Sequence, residues 1–93
     1  MQHVLQLDLI RRTKYVGQWI SNQRHGQGRM QYSNGDAYEG LWIKDHRNGL
    51  AKYFYANGDV FIGRYEHNRR EGLGTIYMVS MTQYRKALIK SAQ

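Results

Sequence analysis

The chain has 93 residues with no cysteine and no proline, and it carries a formal charge of +7. One small domain is the most that length builds, and without cysteine there is neither a disulfide framework nor a thiolate metal site, which leads us to expect a reducing, cytoplasmic setting. No apolar run is long enough to cross a bilayer as a helix, and the opening MQHVLQLDLIRR is too interrupted by Gln6 and Asp8 to read as a secretory leader.

From Tyr15 onward a period of 23 residues organises the chain. Tyr15, Tyr38 and Phe61 share a position, as do Gly17, Gly40 and Gly63, then Trp19, Trp42 and Tyr65, then Gly26, Gly49 and Gly72, then Gly28, Ala51 and Gly74. The triplet Asn-Gly-Asp at 34–36 returns at 57–59.

Taken in chain order, the first element is a strand over 3–9, the second half of an incomplete repeat. In the repeat frame Leu5, Leu7 and Leu9 fall on the positions of Gly28, Met30 and Tyr32, so they are expected on the core face, covering the first edge of the sheet. A beginning in mid-repeat is what a fragment or a short isoform of a longer array would show. Alternation of side chains then predicts strands over 14–20, 27–33, 37–43, 50–56, 60–66 and 73–79. A six-residue polar loop, Ser21 to Gly26, and its equivalents separate the two strands of each repeat. Asn34-Gly35 and Asn57-Gly58, dipeptides suited to two-residue type I′ turns, join one repeat to the next.

The last element, 80–93, reads as a short helix packed as a cap. Ser80 and Gln83 fit a capping box, while Met81, Tyr84, Leu88 and Ala92 make one stripe. Tyr84 also keeps the 23-residue register with Phe61, as a further strand would, but Lys86 stands where the repeat has glycine. The expected architecture is therefore all-β: an elongated, single-layer antiparallel meander of stacked hairpins over 1–79, with a half-repeat at 1–14, repeats at 15–37, 38–60 and 61–79, and the helix at 80–93.

Glycines set between aromatics on one strand face point to packing, with a neighbouring ring lying over each missing side chain. That reading absorbs most of YVGQWISNQRHGQG at 15–28. Gly26-Gln27-Gly28 matches no nucleotide-binding loop. His3, His25, His46 and His67 hold no common repeat position, and Asp45 beside His46 reads as a solvated pair. No catalytic, cofactor-binding or metal-binding residue is indicated, and we expect no enzyme and no cofactor.

Two surfaces remain as candidates for binding. The face opposite the aromatics carries Ile20, Leu41, Ile43, Leu50, Phe54 and Ile62, a contiguous apolar area of the kind that marks an interaction surface. The loops after each tryptophan position carry Arg24, Lys44, Arg47, Arg69 and Arg70. Equivalent loops recur every ~10 Å along one edge, near the Debye length of ~8–10 Å, so their charges combine into a basic stripe able to meet acidic phospholipid head groups. Nucleic acid is not expected, because the aromatics sit among glycines and outside any basic groove.

Tyr-x-Gly-x-Trp, a polar loop and Gly-x-Gly, repeated every 23 residues over about 15–78, resemble the MORN repeat (membrane occupation and recognition nexus). Ala51, Phe61 and Tyr65 depart from the pattern while keeping size or apolarity, and Ser80-Met81 replaces the third Asn-Gly. The resemblance implies a twisted hairpin array used for binding. Family members occur in ciliary radial spoke heads, in proteins that bridge membranes and beside catalytic domains, the repeats themselves being non-catalytic. The expected function is a protein-binding scaffold module holding partners in a larger cytoskeletal or ciliary assembly, in the cytoplasm or an axoneme. The alternative is a phosphoinositide or acidic-membrane docking module acting through the basic stripe.

Overall fold

The computed structural model describes residues 1–80 and 83–90. Eight strands form one sheet in chain order, each antiparallel to the next. They are β1 Gln2–Asp8, β2 Thr13–Ile20, β3 Gln23–Gln31, β4 Ala37–Ile43, β5 His46–Phe54, β6 Val60–Glu66, β7 Arg69–Ser80 and β8 Gln83–Lys90. The single-layer meander is as the repeat implied, and the molecule measures 41 × 26 × 20 Å.

The core fills one face. Tyr15, Tyr38 and Phe61, the first aromatic of each repeat, are 1%, 0% and 0% exposed. Rings interlock across repeat boundaries in edge-to-face pairs: Tyr15 with Trp42 at 5.6 Å and Tyr38 with Tyr65 at 5.1 Å between centroids. Such pairs add ~0.5–1.5 kcal/mol to the area they bury. The Tyr15 hydroxyl donates to the Gln18 carbonyl at 2.7 Å, the Tyr38 hydroxyl to Leu41 O at 2.6 Å, and the Trp42 indole to Gly28 O at 3.2 Å. Each polar atom carried inward thus finds a partner. Burial pushes the Tyr15 phenol up to about 12, and raises Tyr38 as well. A Cβ built on Gly28 would collide with the Tyr15 ring, and one on Gly74 with Phe61, so ring over glycine is how this sheet packs.

Both sets of turns differ from expectation. The six-residue loops shrink to Ser21-Asn22, Lys44-Asp45 and His67-Asn68, where both residues take positive φ (48 and 61°, 46 and 70°, 47 and 68°). These are the type I′ turns; Asn and Asp tolerate the left-handed region, and the turn's twist matches that of the strands. The Asn-Gly sites form three-residue loops instead. Gly35 N–H donates to Tyr32 O at 3.1 Å, Tyr32 N–H donates to Asp36 O at 2.9 Å, and only Gly35 in that loop has positive φ, 94°. Asn34 Oδ1 accepts from Asp36 N–H at 2.9 Å, so its side chain serves an Asx turn while its backbone stays right-handed.

β1 exists where expected but faces the other way. Its register sets Val4 opposite Gly17 and Gln6 opposite Tyr15, while Leu5 and Leu7 lie opposite Val16 and Lys14 on the second face, 60% and 58% exposed. Leu9 sits in the turn. The Asp8 carboxylate accepts from the N–H groups of Ile10 and Arg11, each at 3.0 Å, and Arg12 takes φ 58°, which makes the loop Leu9–Arg12 one residue longer than Ser33–Gly35. One extra residue flips a whole strand.

The helix expected over 80–93 is corrected over 83–90, which form β8, paired with β7 from Leu73↔Lys90 to Ser80↔Gln83. Continuing the repeat gives the open edge of β7 a partner for its N–H and C=O groups. That gain outweighs the small helix propensity of Arg-Lys-Ala-Leu. Residues 81–82 and 91–93 of that expectation lie outside the described residues.

Candidate functional site

The arginines are the feature that organises the type I′ edge. Arg24, Arg47 and Arg70 recur every 23 residues, just after each turn, and all three are half-buried. Their guanidinium groups lie over the aromatic face: Arg24 is 4.6 Å from the Trp42 ring, Arg47 5.2 Å from Tyr65 and Arg70 4.1 Å from Phe61. Arg70 also donates to the Tyr65 hydroxyl at 3.1 Å and to that of Tyr55.

The same arginines clip one repeat to the next. Arg24 donates from its backbone N–H and from Nε to Asp45 Oδ1, each at 2.8 Å. Arg47 does the same with Asn68 Oδ1, at 2.8 and 3.3 Å. In return Asp45 N–H donates to Arg24 O and Asn68 N–H to Arg47 O, both at 3.0 Å. Partial burial would raise the Asp45 pKa, but the hydrogen bonds from Arg24 outweigh it and hold the carboxyl below its ordinary value. Asp45 is therefore part of a repeat-to-repeat clip, not a solvated partner of His46.

The five cations of the expected stripe accordingly divide. Lys44 and Arg69 are exposed at the turn edge, while Arg24, Arg47 and Arg70 turn onto the aromatic face. Beside the two exposed cations, His46 and His67 have ring centroids 5.5 Å apart, and Asn68 Nδ2 lies 2.9 Å from His46 Nδ1. A cleft of about 550 Å³ opens between Ile43, Lys44, His46 and His67. Among the described residues no group of three His, Cys, Asp or Glu side chains is placed to hold a metal ion.

On the second face, Ile20, Leu41, Ile43 and Leu50 are 44%, 37%, 44% and 58% exposed, whereas Phe54 and Ile62 are half-buried. Phe54 is covered by the Arg29 guanidinium, 5.1 Å from its ring, and Arg29 in turn pairs with Glu39 at 3.3 Å. Leu73, at the repeat position of Leu50 and 64% exposed, extends the patch. Sequence reasoning passed over Leu73, though its place 23 residues after Leu50 would have found it. It passed over a second feature too, a cleft of about 630 Å³ on the aromatic side at the β1 end, lined by Trp19, Met30, Tyr32, Arg24 and Asp8. The reversed facing of β1 puts Gln6 and Asp8 there instead of leucines, and no periodic signal announces that.

Comparison with curated proteins finds no match. The family model of the MORN repeat matches three consecutive segments, 15–37, 38–60 and 61–79, together well over half of the chain. The ring-over-glycine hairpins and their 23-residue register are the form those segments take, and the chain belongs to the MORN repeat family.

Proposed function

We propose that this chain is a non-catalytic, protein-binding scaffold module whose docking surface is the second face of the sheet. The observation that carries the reading is the exposure there of Leu41, Ile43 and Leu50, large aliphatic side chains set together on a face that no second layer covers among the described residues. MORN repeats commonly bind proteins or membranes, which agrees with a scaffold. We further propose a cytoskeletal or ciliary assembly in the cytoplasm as its setting, on the strength of the family's occurrence in radial spoke heads.

The docking of acidic membranes is the second reading, supported by Lys44 and Arg69, which remain exposed and without an ion pair among the described residues. At about 1 kcal/mol for each cation near the surface, two of them give weak and salt-sensitive attachment.

Affinity capture from axonemal or cytoskeletal extract tests the first reading, with co-sedimentation on phosphoinositide vesicles run beside it. Leu41→Asp with Leu50→Asp should deplete the captured proteins, and Lys44→Glu with Arg69→Glu should leave them. Capture that survives the first pair, together with vesicle binding abolished by the second, transfers the function to the membrane.

A further inference from the structure

The three arginines of the aromatic face do not complete their hydrogen bonds alike. Arg47 donates from Nε to Asn68 Oδ1 at 3.3 Å and from Nη2 to Asn68 O at 2.9 Å, and its Nη1 donates to the Tyr32 hydroxyl at 3.4 Å. Arg70 donates to the Tyr55 hydroxyl across the same interval of 15 residues. Arg24 makes the two bonds to the next turn, Nε to Asp45 Oδ1 at 2.8 Å and Nη2 to Asp45 O at 3.4 Å. The tyrosine is missing. Leu9 stands at that repeat position, and the longer loop after β1 carries it into the turn, 85% exposed. Nη1 of Arg24 therefore has no acceptor among the described residues.

The cleft of about 630 Å³ at the β1 end lies where that ring would be. Its floor is Met30, 6% exposed, at the repeat position of Tyr53, the residue on which Tyr32 stacks with centroids 6.1 Å apart. Trp19 and Tyr32 add half-buried rings to its walls. The volume falls within the ~300–1,000 Å³ of ordinary ligand pockets.

Charge narrows the occupant. Asp8 pairs with Arg11 at 3.2 Å and Asp45 with Arg24 at 2.8 Å, so the carboxylates and guanidinium groups that line the cleft are already matched. An anion brought to Arg24 would meet both aspartates, and a cation would meet both arginines. A neutral ring finds sulfur and aromatic partners in Met30, Trp19 and Tyr32. A hydroxyl on that ring also gives Arg24 Nη1 the acceptor that Tyr32 gives Arg47. Gln6 and Thr13, on the β1 side of the cleft, carry an amide and a hydroxyl able to bond the peptide groups that flank such a ring.

We propose that the cleft between Trp19, Tyr32 and Arg24 binds a tyrosine side chain of a partner protein, in the place that Tyr32 and Tyr55 fill in the next two repeats. The site lies on the aromatic face and is independent of the second face.

The test is an NMR titration of the full chain with short blocked peptides that differ only in their central residue, tyrosine, phenylalanine or phosphotyrosine, with free phenol as a further arm. The tyrosine peptide should bind saturably and shift the Trp19 indole N–H and the Met30 methyl. Its affinity should exceed that of the phenylalanine peptide about ten-fold, the order of one hydrogen bond to a charged donor. Phosphotyrosine and free phenol should both bind more weakly than the tyrosine peptide. Gln6→Trp, opposite Tyr15 and on the cleft wall, should fill the site and abolish binding while the chain stays folded. Arg24→Met should make the tyrosine and phenylalanine peptides equal; if that variant fails to fold, the loss of binding in Gln6→Trp decides. Equal affinity of the two peptides for the parent chain, binding of neither, or binding that survives Gln6→Trp overturns the proposal. Tighter binding of phosphotyrosine overturns it in favour of an anion site, and phenol as tight as the peptide in favour of a small-molecule site. None of these outcomes bears on the second face, which the capture experiment tests alone.

Discussion

On one side of β4, Tyr38 and Trp42 are 0% and 2% exposed; on the other, Leu41 and Ile43 are 37% and 44% exposed. The strand and its hydrogen-bond ladders are common to both sides, so the contrast comes from what stands next to each side chain. Tyr38 has rings from its own and the following repeat at its edges, and the Arg47 guanidinium 5.7 Å from its centroid. Leu41 has Gly49 beneath it and solvent above. A single-layer sheet ordinarily needs a second layer to hide either face. Here one face supplies its own cover, because glycines let rings lie flat and arginines from the turn edge reach over them. The other face has one such cover, Arg29 over Phe54, and leaves Leu41, Ile43 and Leu50 exposed.

Removing a ring should separate the faces most sharply. Tyr38→Ala is expected to cost about 3–5 kcal/mol, a large part of the stability of a domain this size. Leu50→Ser, on the open face, should stay within about 0.5 kcal/mol. Urea midpoints on the two variants decide the matter, and similar losses at both sites would mean that the open face is buried in solution. Next in size is Gly28→Val, whose side chain must displace the Tyr15 ring. An overpacking loss of about 1–3 kcal/mol is expected, with the Tyr15–Trp42 contact visibly disturbed in near-ultraviolet circular dichroism.

How much of this contrast was legible in the sequence differs by element. The closed face was readable throughout, because Tyr15, Gly17 and Trp19 and their equivalents recur at one interval and alternate within a strand. The turns were misassigned because Asn-Gly is the strongest short-range signal for a type I′ turn, and here Asn34 uses its side chain, not its backbone, to shape the loop. β1 was placed correctly and faced wrongly, since a single residue in the loop Leu9–Arg12 reverses the parity and leaves no trace in hydrophobic pattern. At β8 the local helix propensity of Arg-Lys-Ala-Leu and the repeat register of Tyr84 point to different elements, and the strand forms because the register offers β7 a partner. The arginine lid is not legible although Arg24, Arg47 and Arg70 keep the period, because cations beside turns read from sequence as members of an exposed basic stripe.

The lid itself offers the next measurement. Arg70→Met keeps an apolar stem but removes the charge above Phe61 and the donors to the Tyr55 and Tyr65 hydroxyls. The expected loss is about 1–2 kcal/mol. The same substitution at Arg64, which points to the open face, should be nearly silent in stability. A lid that mattered only for solubility would make the two variants equal.

The smallest effect has its control built into the chain. Arg24 and Asp45 form a charged clip between the first two repeats, and Arg47 and Asn68 form a neutral one between the second and third, with the same donors, nearly the same distances and the same returning main-chain bond. If the arginine's stacking over the aromatic face is what the clip secures, the charge on Asp45 adds little to what an amide provides. Asp45→Asn should therefore lose less than about 1 kcal/mol at neutral pH. The pH dependence should change more clearly. The Asp45 carboxyl is held below its ordinary value in the folded chain, so its contribution is fully present above the unfolded value of about 4 and disappears as the pH falls through the lower, folded one. Thermal melts between pH 6 and pH 2 should show a shallower loss of stability for Asp45→Asn than for the parent chain. Identical acid profiles would mean that Arg24 keeps its place over Trp42 by stacking alone, and that the turn edge belongs to the closed face without any help from charge.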